Sequence, residues 1–317
     1  VSRPLFVLGV SRSGTTLLRV ILDRSPGIAI PDESFFVPLL ARRHRGKIDA
    51  GRFLDDVARI PSIRSWGLTA EMIEPRVRSG STAGEAIGAI FETYAAKAGK
   101  PRWGDKTPMY MRHLPLLERL FPDAQYIHLV RDGRNAALSF LEMPEGTFTR
   151  TWAHPSTPSE FACLWRREVA EARALGGRVG PDRYLEVRYE ALVAGPEETV
   201  ASLCAFTELP FEPRMLEYSR AVDVSEKPHQ QRLLQPPTAD VRRWQVDMEP
   251  GDIRRFEEIA GDLLAELGYE LRYRSRGARG SPRLPRARYA TRLAAWNLAT
   301  AAVQGSPLWR RRHRPLA

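Results

Sequence analysis

The stretch that most constrains this chain is Pro4-Leu-Phe-Val-Leu-Gly-Val-Ser-Arg-Ser-Gly-Thr-Thr-Leu-Leu18. Leu5 to Val10 is an apolar run ending in a Gly/Ser turn, which predicts a buried strand. From Thr15 the apolar spacing changes, and Leu18, Ile21 and Leu22 share one helical face. A strand that enters a helix through Gly9-Val-Ser-Arg-Ser-Gly14 is a phosphate-binding loop: the glycines let successive N–H groups converge, and the helix N-terminus adds the positive end of its dipole.

The nucleotide-kinase version of such a loop places a lysine directly after the second glycine to reach the β- and γ-phosphates, followed by a hydroxyl for magnesium. Here that lysine position is Thr15, and the cation lies inside the loop at Arg12. Two hydroxyls and one arginine suit a terminal group carrying less charge than a triphosphate.

Further along, strand and helix signals alternate. Gly27 to Pro31 is a short strand with Asp32-Glu33-Ser34 at its end, and residues 35–80 read as a helical insertion over the acceptor side. Thr82-Ala-Gly-Glu85 is a capping box opening a helix that ends near Gly99. Pro101-Arg-Trp-Gly-Asp-Lys-Thr-Pro108 is too short and polar to read as core, yet it falls where a strand and its C-terminal loop should lie. Tyr126 to Val130 is a strand, Asn135 to Leu141 a helix, Pro158 opens a long helix, and Arg183 to Tyr189 is a further strand. This alternation predicts an α/β fold: a P-loop-like three-layer α/β/α architecture around a central parallel sheet. Pro250 to Gly268 is expected to be its last helix, and residues 221–240 a long functional loop.

The formal net charge of +10 belongs to the C-terminus, where residues 272–317 hold twelve arginines and no Asp, Glu or Lys. The expected organisation is therefore a domain at 1–271 and an Arg-rich linker and tail at 272–317. The slightly acidic remainder argues against nucleic acid as a partner. In the tail, Tyr289, Leu293, Trp296 and Val303 can share a helical face, which suits either an anionic membrane surface or packing on the core or a subunit. No run of 18 apolar residues is present, and the N-terminus enters a strand at once, so neither a transmembrane helix nor a signal peptide is expected. Cys163 and Cys204 lie among apolar helical neighbours and are expected as buried thiols in a reducing cytoplasm.

Two motifs carry a family resemblance. The loop at Arg12-Ser-Gly-Thr-Thr16 resembles the 5′-phosphosulfate loop of sulfotransferases that use 3′-phosphoadenosine 5′-phosphosulfate (PAPS). About 120 residues on, Val130-Arg131-Asp132-Gly133-Arg134 through Ser139 resembles their 3′-phosphate motif. The resemblance covers about residues 4–270, including Tyr189-Glu-Ala-Leu-Val193, and is nearest to the tyrosylprotein and bacterial branch. It implies PAPS as cofactor, adenosine 3′,5′-bisphosphate as product, no metal, and cofactor contacts at Arg12, Ser13, Gly14, Thr15, Thr16, Arg131, Ser139 and Tyr189.

The same resemblance implies Glu33 as the base that takes the acceptor proton, with Asp32 as the alternative; an acidic pair opening a helix for dipole reasons is the plainer explanation. It also implies Lys106, with Arg12, at the transferring group. Lysine is rare here, five against 43 arginines, and its compact charge suits a bridging oxygen. Phe35 stands where the tyrosylprotein branch has an arginine, so a protein tyrosine is not the expected acceptor. The implied activity is sulfuryl transfer to a hydroxyl of a small-molecule, lipid or carbohydrate acceptor. A P-loop kinase for a small metabolite, or a nucleotide-binding or membrane-associated scaffold without turnover, are the alternatives. His44, His113, His128 and His154 show no metal spacing and read as structural or solvated.

Overall fold

The computed structural model describes residues 3–143, 154–217, 243–273, 287–295 and 298–299. Five strands, β1 (Leu5–Leu8), β2 (Ile28–Ala29), β3 (Arg102–Asp105), β4 (Gln125–Val130) and β5 (Tyr184–Arg188), form a sheet of order β2-β3-β1-β4-β5. Every pairing is parallel, with Leu5 in register with Gly104 on one side and Gln125 on the other. The expected three-layer α/β/α fold is therefore the one observed.

Side-chain alternation in the central strands builds the layers. Phe6, Leu8, Tyr126 and Val130 point to one face and join a core with helices Ala83–Lys97, Gly133–Leu141, Pro158–Val179 and Pro250–Glu266. Leu5, Val7, Ile127 and Leu129 point to the other, against helices Thr15–Asp23, Tyr189–Ala194 and Pro196–Thr207. Both faces are covered, which is why β1 reads as a continuous apolar run and β4 carries apolar residues toward both faces.

The capping box forms as the sequence predicts: Thr82 N–H donates to Glu85 Oε2 at 2.6 Å, and Glu85 N–H donates to Thr82 Oγ1 at 3.2 Å. The insertion after β2 is helical, with Val37–Arg43, Ala50–Val57 and shorter turns. It is pinned to the sheet by rings: Phe36 lies 5.4 Å from Phe91, which stacks on Trp103 of β3 at 4.5 Å.

The polar 101–108 segment differs from expectation. It is buried, with Arg102, Trp103, Asp105, Lys106 and Thr107 all less than 9% exposed. Arg102 tolerates this because its guanidinium donates to the Arg3 and Thr207 carbonyls and to Gln125 Oε1, each at 2.6 Å.

The tail helix at residues 287–295 packs on the main core. Tyr289 and Leu293 are 3% and 7% exposed, and Arg292 pairs with Glu160 Oε2 at 2.7 Å. Those two side chains are thus committed to the core, which corrects the membrane-facing reading at these positions; Trp296 and Val303, like the expected loop at 221–240, lie outside the described residues. Among the described residues no helix is long and apolar enough to cross a membrane. Cys163 and Cys204 are buried and form no disulfide.

Arg134 ties helix Pro250–Glu266 to the end of β4. It is fully buried, holds Asp132 Oδ2 at 2.7 Å and Glu257 Oε1 at 2.5 Å, donates to the Glu270 carbonyl, and lies 3.6 Å over the Trp244 ring. Arg134→Ala strands two buried carboxylates and is expected to cost about 3–5 kcal/mol. Arg178→Ala, which removes an exposed pair with Glu118, should cost less than about 1 kcal/mol. Urea denaturation midpoints of the two variants check the contrast.

Candidate active site

In an open parallel sheet, loops at the C-terminal ends of the strands share one edge, and ligands bind there. Every strand of this sheet delivers a sequence-predicted residue to that edge. Across the sheet these are Glu33 after β2, Lys106 after β3, the 9–14 loop after β1, Arg131 after β4 and Tyr189 after β5.

The loop after β1 is built around two left-handed residues, Arg12 at φ 73° and Gly14 at φ 92°. Glycine is needed at 14 for space as well as φ, because a Cβ there would lie 2.4 Å from the Tyr189 ring. Gly9 allows Thr15 to pack down onto β4, since a Cβ at 9 would meet Thr15 Cγ2 and the Leu129 carbonyl at 2.6 and 2.8 Å. Ser13 is 1% exposed, and its hydroxyl has no hydrogen-bond partner among the described residues. A buried hydroxyl at a helix N-terminus, with no partner among the described residues, fits an anionic oxygen as its missing acceptor.

The two motifs meet across the sheet. Arg12 Nε donates to Ser139 Oγ at 3.0 Å, and Arg131 donates to the Arg12 carbonyl at 3.1 Å. The Arg131 guanidinium lies 4.6 Å from the centre of the Tyr189 ring, the same ring that closes over Gly14. Glu190 holds the neighbouring backbone, accepting from Asp132 N–H and the Tyr269 hydroxyl, both at 3.0 Å. Arg12, Ser13, Gly14, Arg131, Ser139 and Tyr189 therefore form one cluster.

The second cluster lies toward β2. Lys106 Nζ is 2.5 Å from Glu33 Oε1 and 3.2 Å from Thr16 Oγ1, so the lysine joins the acidic loop to the first turn of helix Thr15–Asp23. Lys106 is 2% exposed, whereas the Glu33 side chain is one-third open. Burial lowers the Lys106 ammonium from its ordinary range, opposed chiefly by the Glu33 carboxylate. Asp32, the alternative base, turns to Arg19 at 3.2 Å. The structure thus separates the two acids, and only Glu33 meets the lysine.

Several residues that the sequence did not single out hold this arrangement. Ser34 N–H donates to Thr107 Oγ1 at 3.0 Å, and the Tyr110 hydroxyl links Ser34 Oγ at 2.7 Å and Val37 N–H at 3.1 Å. These bonds, with Phe36 buried behind them, fix the turn in which Phe35 sits at φ 57°, 36% exposed beside Glu33. Asp105, buried at the end of β3, was visible in Gly104-Asp-Lys-Thr107 only as a carboxylate next to the rare lysine. Of the histidines, His44 pairs with Asp56 Oδ2 at 2.9 Å and His128 with the Tyr184 hydroxyl at 2.7 Å.

This chain belongs to the sulfotransferase family, which matches residues 4–213. The nodulation protein NoeE of Sinorhizobium fredii is 30% identical over 301 residues, covering 84% of this chain and 65% of NoeE. A protein-tyrosine sulfotransferase of Drosophila melanogaster is 25% identical over 282 residues, covering 84% of this chain and 51% of that protein. The chain spans about half the length of this second relative. Among solved structures, the sulfotransferase domain of the Synechococcus PCC 7002 olefin synthase is 26% identical with a TM-score of 0.57, covering 85% of this chain and 96% of that domain. The sulfotransferase domain from the curacin biosynthetic pathway, at 24% identity and TM-score 0.59, shares the fold over 86% of this chain and 99% of that domain.

The packing of Tyr189 on the loop is testable without a ligand. Gly14→Ala combines positive φ with a ring clash and is expected to destabilise by about 1–3 kcal/mol more than a substitution burdened by φ alone. Gly46→Ala, at φ 75° with nothing within 4 Å of the new Cβ, is that reference. Thermal melts of the two variants read the difference.

Proposed function

We propose that this chain transfers the sulfuryl group of PAPS to a hydroxyl of a small-molecule, lipid or carbohydrate acceptor by in-line displacement. The observation that carries this reading is the Lys106–Glu33 pair at 2.5 Å, set beside Thr16 of the phosphate loop. It puts a proton acceptor and a compact cation side by side, at the end of the phosphate loop away from Arg131 and Ser139. Sulfuryl transfer needs both, one to take the acceptor proton and one to neutralise charge building on the leaving phosphate oxygen.

The other cluster supports the cofactor. Arg131 and Ser139 offer a charged donor and a hydroxyl suited to a 3′-phosphate, which would separate PAPS from ATP. Arg12 spans to Ser139 and supplies positive charge between the two phosphate positions, while Ser13, Gly14, Thr15 and Thr16 would hold the 5′-phosphosulfate. The Tyr189 ring, stacked under Arg131, would wall the site beyond β5. Thr15 in the place of a kinase lysine counts against ATP as substrate.

For the acceptor, the relatives point two ways: one is named a protein-tyrosine sulfotransferase and another a nodulation protein. Phe35, exposed beside Glu33, favours an apolar or ring-bearing acceptor over an acidic peptide. Two buried cysteines without a disulfide favour a reducing compartment such as the cytoplasm.

Calorimetry with adenosine 3′,5′-bisphosphate against ADP plus magnesium tests the cofactor. The bisphosphate should bind more tightly, and tighter ADP binding overturns the reading. Arg131→Ala removes a charge-assisted contact and is expected to weaken bisphosphate binding by about 1.5–3 kcal/mol, roughly tenfold or more. Glu33→Gln should leave that binding within a few-fold and lower turnover of labelled PAPS by about 100-fold or more. Full activity in Glu33→Gln removes the base assignment.

A further inference from the structure

Glu33 leaves the sheet from its shortest strand. β2 is two residues long, stands at the edge of the order β2-β3-β1-β4-β5, and is held in register only by Ile28 opposite Arg102 and Ala29 opposite Trp103. Two such pairs do not fix the direction of a loop. Yet the Glu33 carboxylate, beyond the end of this strand, lies 2.5 Å from Lys106 Nζ, and a base that acts in one geometry needs its loop fixed.

The further constraint comes from helix Thr15–Asp23. Thr16, Arg19 and Asp23 are spaced i, i+3 and i+7, which puts them on one helical face. Each of them bonds to the segments that follow β2 and β3. Thr16 Oγ1 accepts from Lys106 Nζ at 3.2 Å. Asp23 Oδ1 accepts from the Ile30 N–H at 2.8 Å, and Arg19 Nη1 donates to the Ile30 carbonyl at 3.1 Å, so this helix takes both backbone groups of Ile30. Arg19 Nη2 pairs with Asp32 Oδ1 at 3.2 Å. The two arms of one guanidinium thus grip the chain at residues 30 and 32, directly before Glu33, while Ser34 N–H is bonded to Thr107 Oγ1 just after it. An ion pair with a carboxylate that is 48% exposed adds little stability. What it fixes is direction.

The geometry points to Arg19 as a positioning residue: its fork holds residues 30 and 32 so that Glu33, and not Asp32, meets Lys106. It does this from the helix whose first turn carries Thr16, so the proton acceptor is set in register with the phosphate loop. The inference rests on the sulfuryl-transfer reading for its functional meaning; the placement of Glu33 does not need turnover.

The Arg19 charge and the Glu33 carboxylate act on Lys106 in opposite senses, which gives the test its sign. A positive neighbour disfavours the ammonium and a carboxylate favours it. Glu33 is the larger of these two influences, and the Asp105 charge, which also favours the ammonium, is common to every variant below. If Arg19 supplies charge or packing alone, removing it raises the pH at which Lys106 deprotonates. If it positions Glu33, the carboxylate moves off and that pH falls.

The full chain labelled with 13C-lysine reads this without acceptor or cofactor. Among five lysines, the Lys106 Cε resonance is assigned by its loss in Lys106→Arg. Arg19→Met, which keeps the apolar stem of the side chain, should lower the Lys106 midpoint by about half a pH unit or more. In a Glu33→Gln background the same change should raise the midpoint or leave it in place. A midpoint that rises or stays put in the single variant overturns the proposal, and so does an equal fall in the Glu33→Gln background. Arg19→Lys repeats the measurement with the charge retained and little risk to folding. One ammonium does not reproduce the fork's grip on both residues, so the midpoint should again fall, and an unchanged one overturns the proposal. With labelled PAPS and 2-naphthol as the probe hydroxyl, Arg19→Met should lower kcat about 10–100-fold with KM for PAPS within a few-fold. It should cost nothing further once Glu33→Gln is present; a full additional loss there overturns the proposal. The lysine titration succeeds or fails independently of bisphosphate calorimetry, which tests the sulfotransferase reading.

Discussion

The site depends on the parallel pairing of β1 with β3 on one side and β4 on the other. Parallel neighbours put their C-terminal ends on the same edge, so chain segments distant in sequence deliver side chains to one line. The order of that line follows sheet order. The acid after β2 and the lysine after β3 stand on one side of the phosphate loop, with Arg131 and Tyr189 on the other. A parallel sheet needs crossovers, and the helices that make them cover both faces with the two cores. The pairing that holds the molecule together therefore also sets the order of groups a two-phosphate ligand would meet.

Two of the three non-glycine residues at positive φ among the described residues lie along that line, the third being Glu208 at the end of helix Pro196–Thr207. Arg12 at φ 73° and Phe35 at φ 57° are non-glycine residues in the left-handed region, and each flanks the groups that carry charge. Such conformations persist only when their surroundings over-determine them. For Arg12 the constraint is a hydrogen bond to Ser139 and a carbonyl held by Arg131. For Phe35 it is Ser34 bonded to Thr107 and Tyr110 on one side and Phe36 locked among rings on the other. The hydrogen-bonded framework of the strands and helices thus reaches into the loops that carry the site.

Most of the architecture was legible because its determinants are local. The run at Leu5–Leu8, the capping box at Thr82–Glu85 and the proline opening Pro158–Val179 each declare themselves within a few residues. β3 was harder, since only Trp103 in Arg102–Asp105 is a large apolar residue, and Arg102 finds its acceptors on three other segments. The candidate site divides in the same way. Arg12, Arg131 and Ser139 were singled out by the family resemblance of their two motifs, but the separation of Asp32 toward Arg19 from Glu33 toward Lys106 is a tertiary fact. The burial of Asp105 likewise leaves no mark on a strand that short.

The contrast between arginine and lysine explains why this cluster is sensitive to its neighbours. Arginine keeps its charge when buried: Arg102, at 8% exposure, is pushed by burial only to about 10, and Arg134 sits fully enclosed between two carboxylates. Its planar fork suits fixed, multiply bonded structural roles. Lysine has a lower intrinsic pKa, and burial brings it nearer to neutrality. A chain that uses arginine almost everywhere for charge has placed a lysine at the one buried position shared with Thr16 and Glu33. A compact ammonium can swing its three donors from a carboxylate to an incoming oxygen as a planar fork cannot. Its charge then depends on the groups around it, and the Glu33 carboxylate is the largest counterweight to its burial.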